Sequence, residues 1–322
     1  MATQLASDGG GVLASSAMHA PLLLDTDIGT DVDDAIALAL ILASPEIDLR
    51  AVTTVSGDVQ LRGQIAAKLL ALAGRADVPI AAGVREPLLR QRNFLWLGHE
   101  GHGIVSAGER LPLRAMHAVD VLIEMVMRER PEVIAIGPLT NLAVAIIKEP
   151  AVIDAIPHLT VMGGILGRSA GLPLLEYNLA SDAEAALVVL NAGIPTTLVP
   201  LDVTWQVFFT AAHLERLRRS SSRVVHAVCE AIDVWAPIQR AAFAATPGFA
   251  PTALAFLHDP LTVATRLDPS LVRLQRLALR PAIVEGMFQL REERDAPAFE
   301  VALAVDAPRC VEFVIERLLR LS

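Results

Sequence analysis

The sequence predicts an α/β protein, built as an open, mostly parallel sheet flanked by helices in a single domain. Three observations carry this. Short apolar β-like runs alternate with amphipathic helical runs along nearly the whole chain, the pattern of a parallel sheet with helices on both faces. Apolar residues are 53% of the 322 residues, enough for a large core and far from a disordered composition. There is no repeat of fixed period, and no linker clearly cuts the chain in two.

The elements follow in order. Residues 21–24 read as a short buried strand, 33–43 as a helix, 49–55 as a strand and 61–73 as a helix. A helix rich in Leu, Ile, Val and Met covers 119–130, then a strand 132–136, a helix 141–148 and a strand 159–162. A helix at 183–191 and a strand at 196–199 continue the alternation. Residues 211–245 are mostly helical and precede His258; strands at 274–279 and 299–305 and a closing helix at 311–321 complete the domain. Residues 1–18 hold Gly9, Gly10, Gly11 and several serines, with no basic n-region and no continuous apolar run. They are expected to form a flexible tail rather than a secretory signal, leaving 19–322 as the domain.

Composition excludes several functions. A formal net charge of −9 opposes a general nucleic-acid binder, which needs a basic surface. The longest apolar stretches are near ten residues, short of the roughly 20 that span a bilayer, so no membrane partner is expected. Cys229 and Cys310 are the only cysteines, too few for a disulfide framework or a Cys-rich zinc site, and a reducing cytoplasm fits them.

Ligands of parallel sheets bind at the carboxyl ends of the strands, so the residues just after each strand matter most. After the first strand comes Asp25-Thr26-Asp27-Ile28-Gly29-Thr30-Asp31-Val32-Asp33-Asp34-Ala35, with five aspartates in ten residues. Helix capping by Asp33 and the turn preference of Asp explain one or two of them. Crowded carboxylates raise one another's pKa and cost stability unless a cation neutralises them. Oxygen ligands select calcium or magnesium over zinc or copper, and the spacing is not that of an EF-hand. Such a cation orients and acidifies a water, and a spare carboxylate removes its proton. Later strand ends supply Val55-Ser56-Gly57-Asp58, Ile136-Gly137-Pro138-Leu139-Thr140-Asn141 and Met162-Gly163-Gly164. A loop adds Glu176-Tyr177-Asn178, and His258-Asp259-Pro260 pairs an imidazole with a carboxylate.

In this order the motifs resemble the inosine–uridine-preferring nucleoside hydrolases, over about residues 21–320. The resemblance implies a metal-dependent N-ribohydrolase with one tightly held calcium, although the ligand types alone admit magnesium too. It implies Asp27, Asp34, Asp259 and the carbonyl of Ile136 as calcium ligands, with Asp27 also the general base for the attacking water. It implies Asp33, Glu176 and Asn178 as binders of the ribose hydroxyls, Met162 as the floor under the ribose, Asp58 near the substrate, and His258 as the acid for the leaving base. The substrate would be a small nucleoside, and the assembly a homodimer or homotetramer. The sequence departs from the family pattern in three places. Two extra residues, Thr30 and Asp31, lengthen the first loop; Asp58 replaces a common Asn; and Tyr177 is the only tyrosine. Trp96, Trp235, Phe243 and Phe249 are candidates for the base pocket. Trp96 stands in a glycine-rich segment where the family places a mobile loop, with His99 and His102 as gates or solvated groups.

Three other readings compete. Gly167-Arg168-Ser169-Ala170-Gly171 matches the nucleophile pattern of serine hydrolases, with Asp202 and His258 following, but Pro173 argues for a loop where that pattern needs a helix. Asp25-Thr26-Asp27 resembles the aspartate-nucleophile phosphatases, which need a lysine that Lys68 and Lys148 do not supply in the right place. A nucleoside- or sugar-binding protein that has lost catalysis is the third.

Overall fold

Strands too apolar to face water on either side pack together as the middle layer of the molecule. The computed structural model describes residues 20–90, 92–106, 108–173 and 175–321; the tail expected over 1–18 lies outside them. The first half contains β1 (Ala20–Thr26), α1 (Asp33–Leu42), β2 (Ile47–Thr54), α2 (Val59–Leu72), β3 (Ile80–Ala82), α3 (Ala118–Glu129), β4 (Glu132–Ala135), α4 (Thr140–Lys148), α5 (Val152–Ala155) and β5 (Leu159–Met162). The second half contains α6 (Tyr177–Ser181), α7 (Ala183–Leu190), β6 (Thr196–Val199), α8 (Leu201–Thr204), β7 (Phe208–Phe209), α9 (Ala211–Leu217), α10 (Arg223–Phe243), β8 (Ala255–Phe256), α11 (His258–Leu267), β9 (Val272–Val284), β10 (Met287–Glu292), β11 (Ala298–Val305) and α12 (Ala307–Arg320).

Nine strands form one sheet in the order β10-β9-β11-β6-β5-β4-β1-β2-β3. All neighbours from β11 to β3 run parallel, and β9 and β10 add an antiparallel edge. Alternation along β1 sends Leu22 and Leu24 into one core, with residues of α1, α2, α10, α11 and α12. Leu23 enters the other, with residues of α3, α4 and α7. Helices on both faces thus bear out the expected α/β architecture. From β1 the chain builds outward through β2 and β3, then crosses to β4 on β1's other side. The gap between β1 and β4 is therefore a topological switch point, where open α/β sheets bind ligands.

Two strands of the nine-stranded sheet, and both of the short β7–β8 ribbon, went unanticipated. β3 has three residues between Pro79 and Gly83, too few to show a period. β10 pairs with β9 through a turn in which Glu285 (φ 51°) and Gly286 (φ 80°) are both left-handed, as a two-residue hairpin turn requires. The helical stretch expected over 211–245 is divided at 218–222 into α9 and α10. A separate two-stranded ribbon pairs β7 with β8 and fixes the chain just before His258.

Candidate active site

The site begins where β1 ends. Asp27 follows Thr26 at the switch point, and the chain leaving β4 comes so close that a Cβ on Gly137 would lie 2.9 Å from the Asp27 nitrogen. Gly29 turns the loop at φ 122°, and a Cβ there would meet Ile65 Cδ1 at 2.6 Å. The loop then places Asp33 and Asp34 in the first turn of α1. Asp259 stands in the first turn of α11, where Pro260 is tolerated because a first-turn N–H has no intrahelical partner. The positive ends of two helix dipoles thus hold the acids. The Asp259 N–H donates to Asp33 Oδ2 at 3.2 Å, and the Thr26 hydroxyl donates to Asp34.

Asp33, Asp34 and Asp259 are all buried and offer oxygens within 4.8 Å of one another. Burial and then the neighbouring carboxylates push all three well above the ordinary carboxyl range. Asp31 is raised to about 7, chiefly by desolvation. Asp27 lies outside the trio but is close enough to repel each member, and burial raises it to about 6 against the pull of Arg62. Three converging oxygen donors with unrelieved charge fit a hard divalent cation.

Arg62, on α2 and fully buried, ties this loop together. It donates through Nε to the Ser56 carbonyl at 2.6 Å, through Nη1 to the carbonyls of Asp27 and of Ile28 (3.0 Å), and through Nη2 to Thr30 Oγ1 at 3.0 Å. Trp96 covers its face at 5.3 Å. Glu100 is buried beside it, accepting from the Leu97 and Gly98 N–H groups at 2.7 and 2.6 Å and from the Thr30 hydroxyl at 3.4 Å. His99 Nε2 bonds the Thr30 carbonyl at 2.8 Å, and its ring stacks on Trp235. His99 is thus a packed, bonded group rather than a solvated one, while His102 is exposed.

One cavity joins the acids to an apolar wall. Asp27, Asp31, Asp33, Asp34, Asp259 and Ile136 line its floor together with Met162, Glu176 and Asn178. Glu176 caps α6, accepting from the N–H groups of Asn178 (2.5 Å), Leu179 (3.0 Å) and Gly164 (2.9 Å). Asn178 Nδ2 donates to the carbonyls of Ile136 (3.0 Å) and Met162 (3.2 Å). The opposite wall is Trp205, Trp235, Phe243, Phe256 and His258. Trp205 stacks on Phe256 at 4.2 Å and 6°, and Phe243 meets its edge at 6.2 Å. Burial alone draws His258 down to about 4.

Most of the residues expected at the site are therefore in one cavity. Asp58 and Trp96 are not in its wall: Asp58 caps α2 through the Leu61 N–H at 3.1 Å, and Trp96 lies on Arg62 and against Gly57. Of the aromatic candidates, Trp235 and Phe243 line the cavity, and Phe249 packs on Phe256 behind it. Arg62, Thr204, Trp205 and Phe256 escaped the sequence reading. Only Thr204 and Trp205 had a signal, since both closely follow the end of β6.

The rival sites do not assemble. Residues around Ser169 form a loop pinned by Asp202, whose carboxylate accepts from the N–H groups of Leu166, Arg168 and Ser169. Ser169 Oγ donates to the Asp202 carbonyl at 2.8 Å, and His258 bonds Thr204 instead. Lys68 pairs with Glu109 and Lys148 with Asp120, so neither serves a phosphoryl site.

The fold and the acidic cavity define a class of protein, the nucleoside hydrolases. A solved plant nucleoside hydrolase superposes with a TM-score of 0.80 at 29% identity, covering 93% of this chain and 99% of that one. A purine-preferring ribonucleoside hydrolase from Gardnerella vaginalis gives 0.79 at 25% identity, covering 94% and 98%. A pyrimidine-specific ribonucleoside hydrolase, RihA, from Enterobacter sp. is 36% identical over 79% of this chain and 81% of its own length. The Leishmania major inosine-uridine preferring nucleoside hydrolase is 32% identical over 84% and 87%. Residues 22–312 match the inosine-uridine preferring nucleoside hydrolase family, and the chain belongs to it.

Proposed function

We propose that this protein hydrolyses the N-glycosidic bond of ribonucleosides, releasing ribose and the free base, with a divalent cation at the trio of carboxylates. The observation that carries this is one cavity with converging buried carboxylates at one end and stacked aromatic rings at the other. Asp34, Asp259 and the Ile136 carbonyl, with Asp27 beside them, would hold calcium or magnesium, and Asp33 is close enough to share that duty. When bound, the cation neutralises the acids and lowers the pKa of a coordinated water.

The chain's own groups do the rest. Asp27 takes the proton from the water that attacks the anomeric carbon. Glu176 and the Asn178 Oδ1 keep acceptor capacity for the ribose hydroxyls, the two Asn178 Nδ2 hydrogens being spent on the Ile136 and Met162 carbonyls, and Met162 supplies an apolar surface beneath the sugar. Cleavage passes through an oxocarbenium-like ribosyl cation, which the surrounding carboxylates stabilise. The base lies among Trp205, Trp235, Phe243 and Phe256, with His258 at its edge. A wall so poor in hydrogen-bonding groups selects bases by stacking and shape more than by polar pattern. Among the described residues no helix is long and apolar enough to cross a membrane. The two buried free cysteines agree with a reducing compartment.

The test is ribose release, by a reducing-sugar assay, from inosine, uridine, cytidine, adenosine and guanosine, with added calcium and after chelation. Chelator-sensitive release supports the reading, and the ranking of bases identifies the preferred class. Tight nucleoside binding without release would make the protein a binder instead.

A further inference from the structure

Thr204 is fully buried at the end of α8, and its side chain makes one hydrogen bond, to His258 Nδ1 at 2.8 Å. Among the described residues that hydroxyl makes no second hydrogen bond. A buried hydroxyl hydrogen with nowhere else to go must point at Nδ1, so Nδ1 is bare and the ring carries its hydrogen on Nε2. The opposite arrangement, with Nδ1–H donating to Thr204, would leave the threonine hydrogen sealed in and unpaired, which is penalised. The same holds for a doubly protonated ring. Nε2 has no protein partner and is not among the sealed, unpaired atoms, and the half-buried ring lines the cavity.

The ring cannot easily turn to escape this. Trp205 and Phe256, stacked on each other at 4.2 Å, lie beside it with centroids at 6.0 and 5.5 Å, both within 22° of parallel. The ribbon of β7 and β8 fixes the backbone just before His258 to that just after Thr204, through Leu254 N–H to the Phe209 carbonyl and Leu257 N–H to the Val207 carbonyl, each 2.8 Å.

We propose that Thr204 is a positioning residue that locks His258 as the Nε2–H tautomer, so that the ring presents its Nε2–H to the departing base. This deepens the hydrolase reading, and its kinetic arm rests on it. Its structural arm does not, because the tautomer is read without substrate.

The structural arm is ¹⁵N NMR of histidine-labelled protein, with the His258 signals assigned by their loss in His258→Gln. A bare Nδ1 and a protonated Nε2 in the wild type are expected; a protonated Nδ1 overturns the proposal. The kinetic arm compares Thr204→Val and Thr204→Ser on uridine or inosine and on nitrophenyl riboside, whose leaving group needs no assistance. Thr204→Val should lower kcat on the nucleosides about tenfold to a hundredfold with KM little changed. It should leave nitrophenyl riboside turnover within about threefold, and Thr204→Ser should restore the nucleoside rate. Equal losses on both substrates would reduce Thr204 to a packing residue. If Thr204→Val does not fold, the wild-type ring signals decide the matter. A wild type that turns over neither riboside defeats the hydrolase reading while leaving the tautomer result standing.

Discussion

The two ends of the cavity are made of opposite materials. The floor is carboxylate upon carboxylate at the N-termini of α1 and α11, buried and raised far from their ordinary protonation. The wall is indole, phenyl and imidazole, stacked or edge-on with centroids 4.2 to 6.2 Å apart, with polar partners only for Trp235 and His258. The floor is unstable by itself and asks for a cation; the wall is stable by itself and asks only for a flat ring. On the proposed reading, bond cleavage belongs to the first together with His258, and choice of base to the aromatic rings of the second. Substitutions in the floor, or at His258 and its partner Thr204, should therefore change kcat or metal affinity, and those of the aromatic rings should change KM.

The largest effect should come from Asp27→Asn. The isosteric amide keeps the loop's shape but removes the base, and ribose release should fall about 10²–10⁴-fold. Melting behaviour close to wild type would show that the loss is chemical, and retained activity would remove Asp27 as the base. Metal removal should come next and should show in stability. Asp27 at about 6 and Asp31 at about 7 stand above the ordinary 3.8. Carboxyls raised in the folded state contribute stability in full below their ordinary value and lose it as pH rises through the raised one. The chelated protein should thus melt at progressively lower temperature as pH rises through about 4 to 7, while the calcium-loaded protein changes less. Parallel curves with and without metal would mean the acids do not form the metal site.

That contrast also explains what could be read in advance. The floor was legible because its acids are adjacent in the sequence, at the junction of an apolar strand and a helix. Asp259 joins them from 225 positions beyond Asp34, yet its own short motif marked it. The wall was only partly legible: the sequence reading names Trp235, Phe243 and His258 but not Trp205 or Phe256. Trp205, Trp235, Phe243 and Phe256 come from three segments, α10 supplying two of them, whose nearness depends on the β7–β8 ribbon, and strands of two residues have no readable period. Arg62 was invisible for a related reason. On α2 it looks like an ordinary surface arginine, and only the tertiary fold buries it under Trp96 with its donors on four loop oxygens. The hairpin of β9 and β10 had a signal, the Glu285-Gly286 pair, whose left-handed backbone suits a tight turn.

A smaller effect, confined to the wall, is expected for Phe243→Ala. Phe243 is half-buried and meets Trp205 edge-on, so its loss should leave the fold intact. KM should rise about two- to tenfold for every base, with kcat nearly unchanged, the range that one aromatic contact supplies. A fall in kcat with KM constant would show that the aromatic rings, and not His258 alone, take part in cleavage and would erase the division drawn above.

The smallest effect tests the joint between the two ends. His99 touches both: its Nε2 bonds the Thr30 carbonyl of the acidic loop at 2.8 Å, and its ring stacks on Trp235 at 5.5 Å and 24°. His99→Phe keeps the stack and removes the hydrogen bond, whereas His99→Ala removes both. If the ends are independent, the phenylalanine variant should lose about 1 kcal/mol of stability and little else, because one hydrogen bond to a loop carbonyl is at stake. The alanine variant should add a rise in KM of about two- to fivefold as Trp235 loses its backing. Thermal melts and steady-state kinetics on one nucleoside separate the two. Should the phenylalanine variant also lose metal affinity, the Thr30 contact is transmitting the position of His99 into the carboxylate trio. The two residues that lengthen the first loop would then be the part that couples base recognition to the metal site.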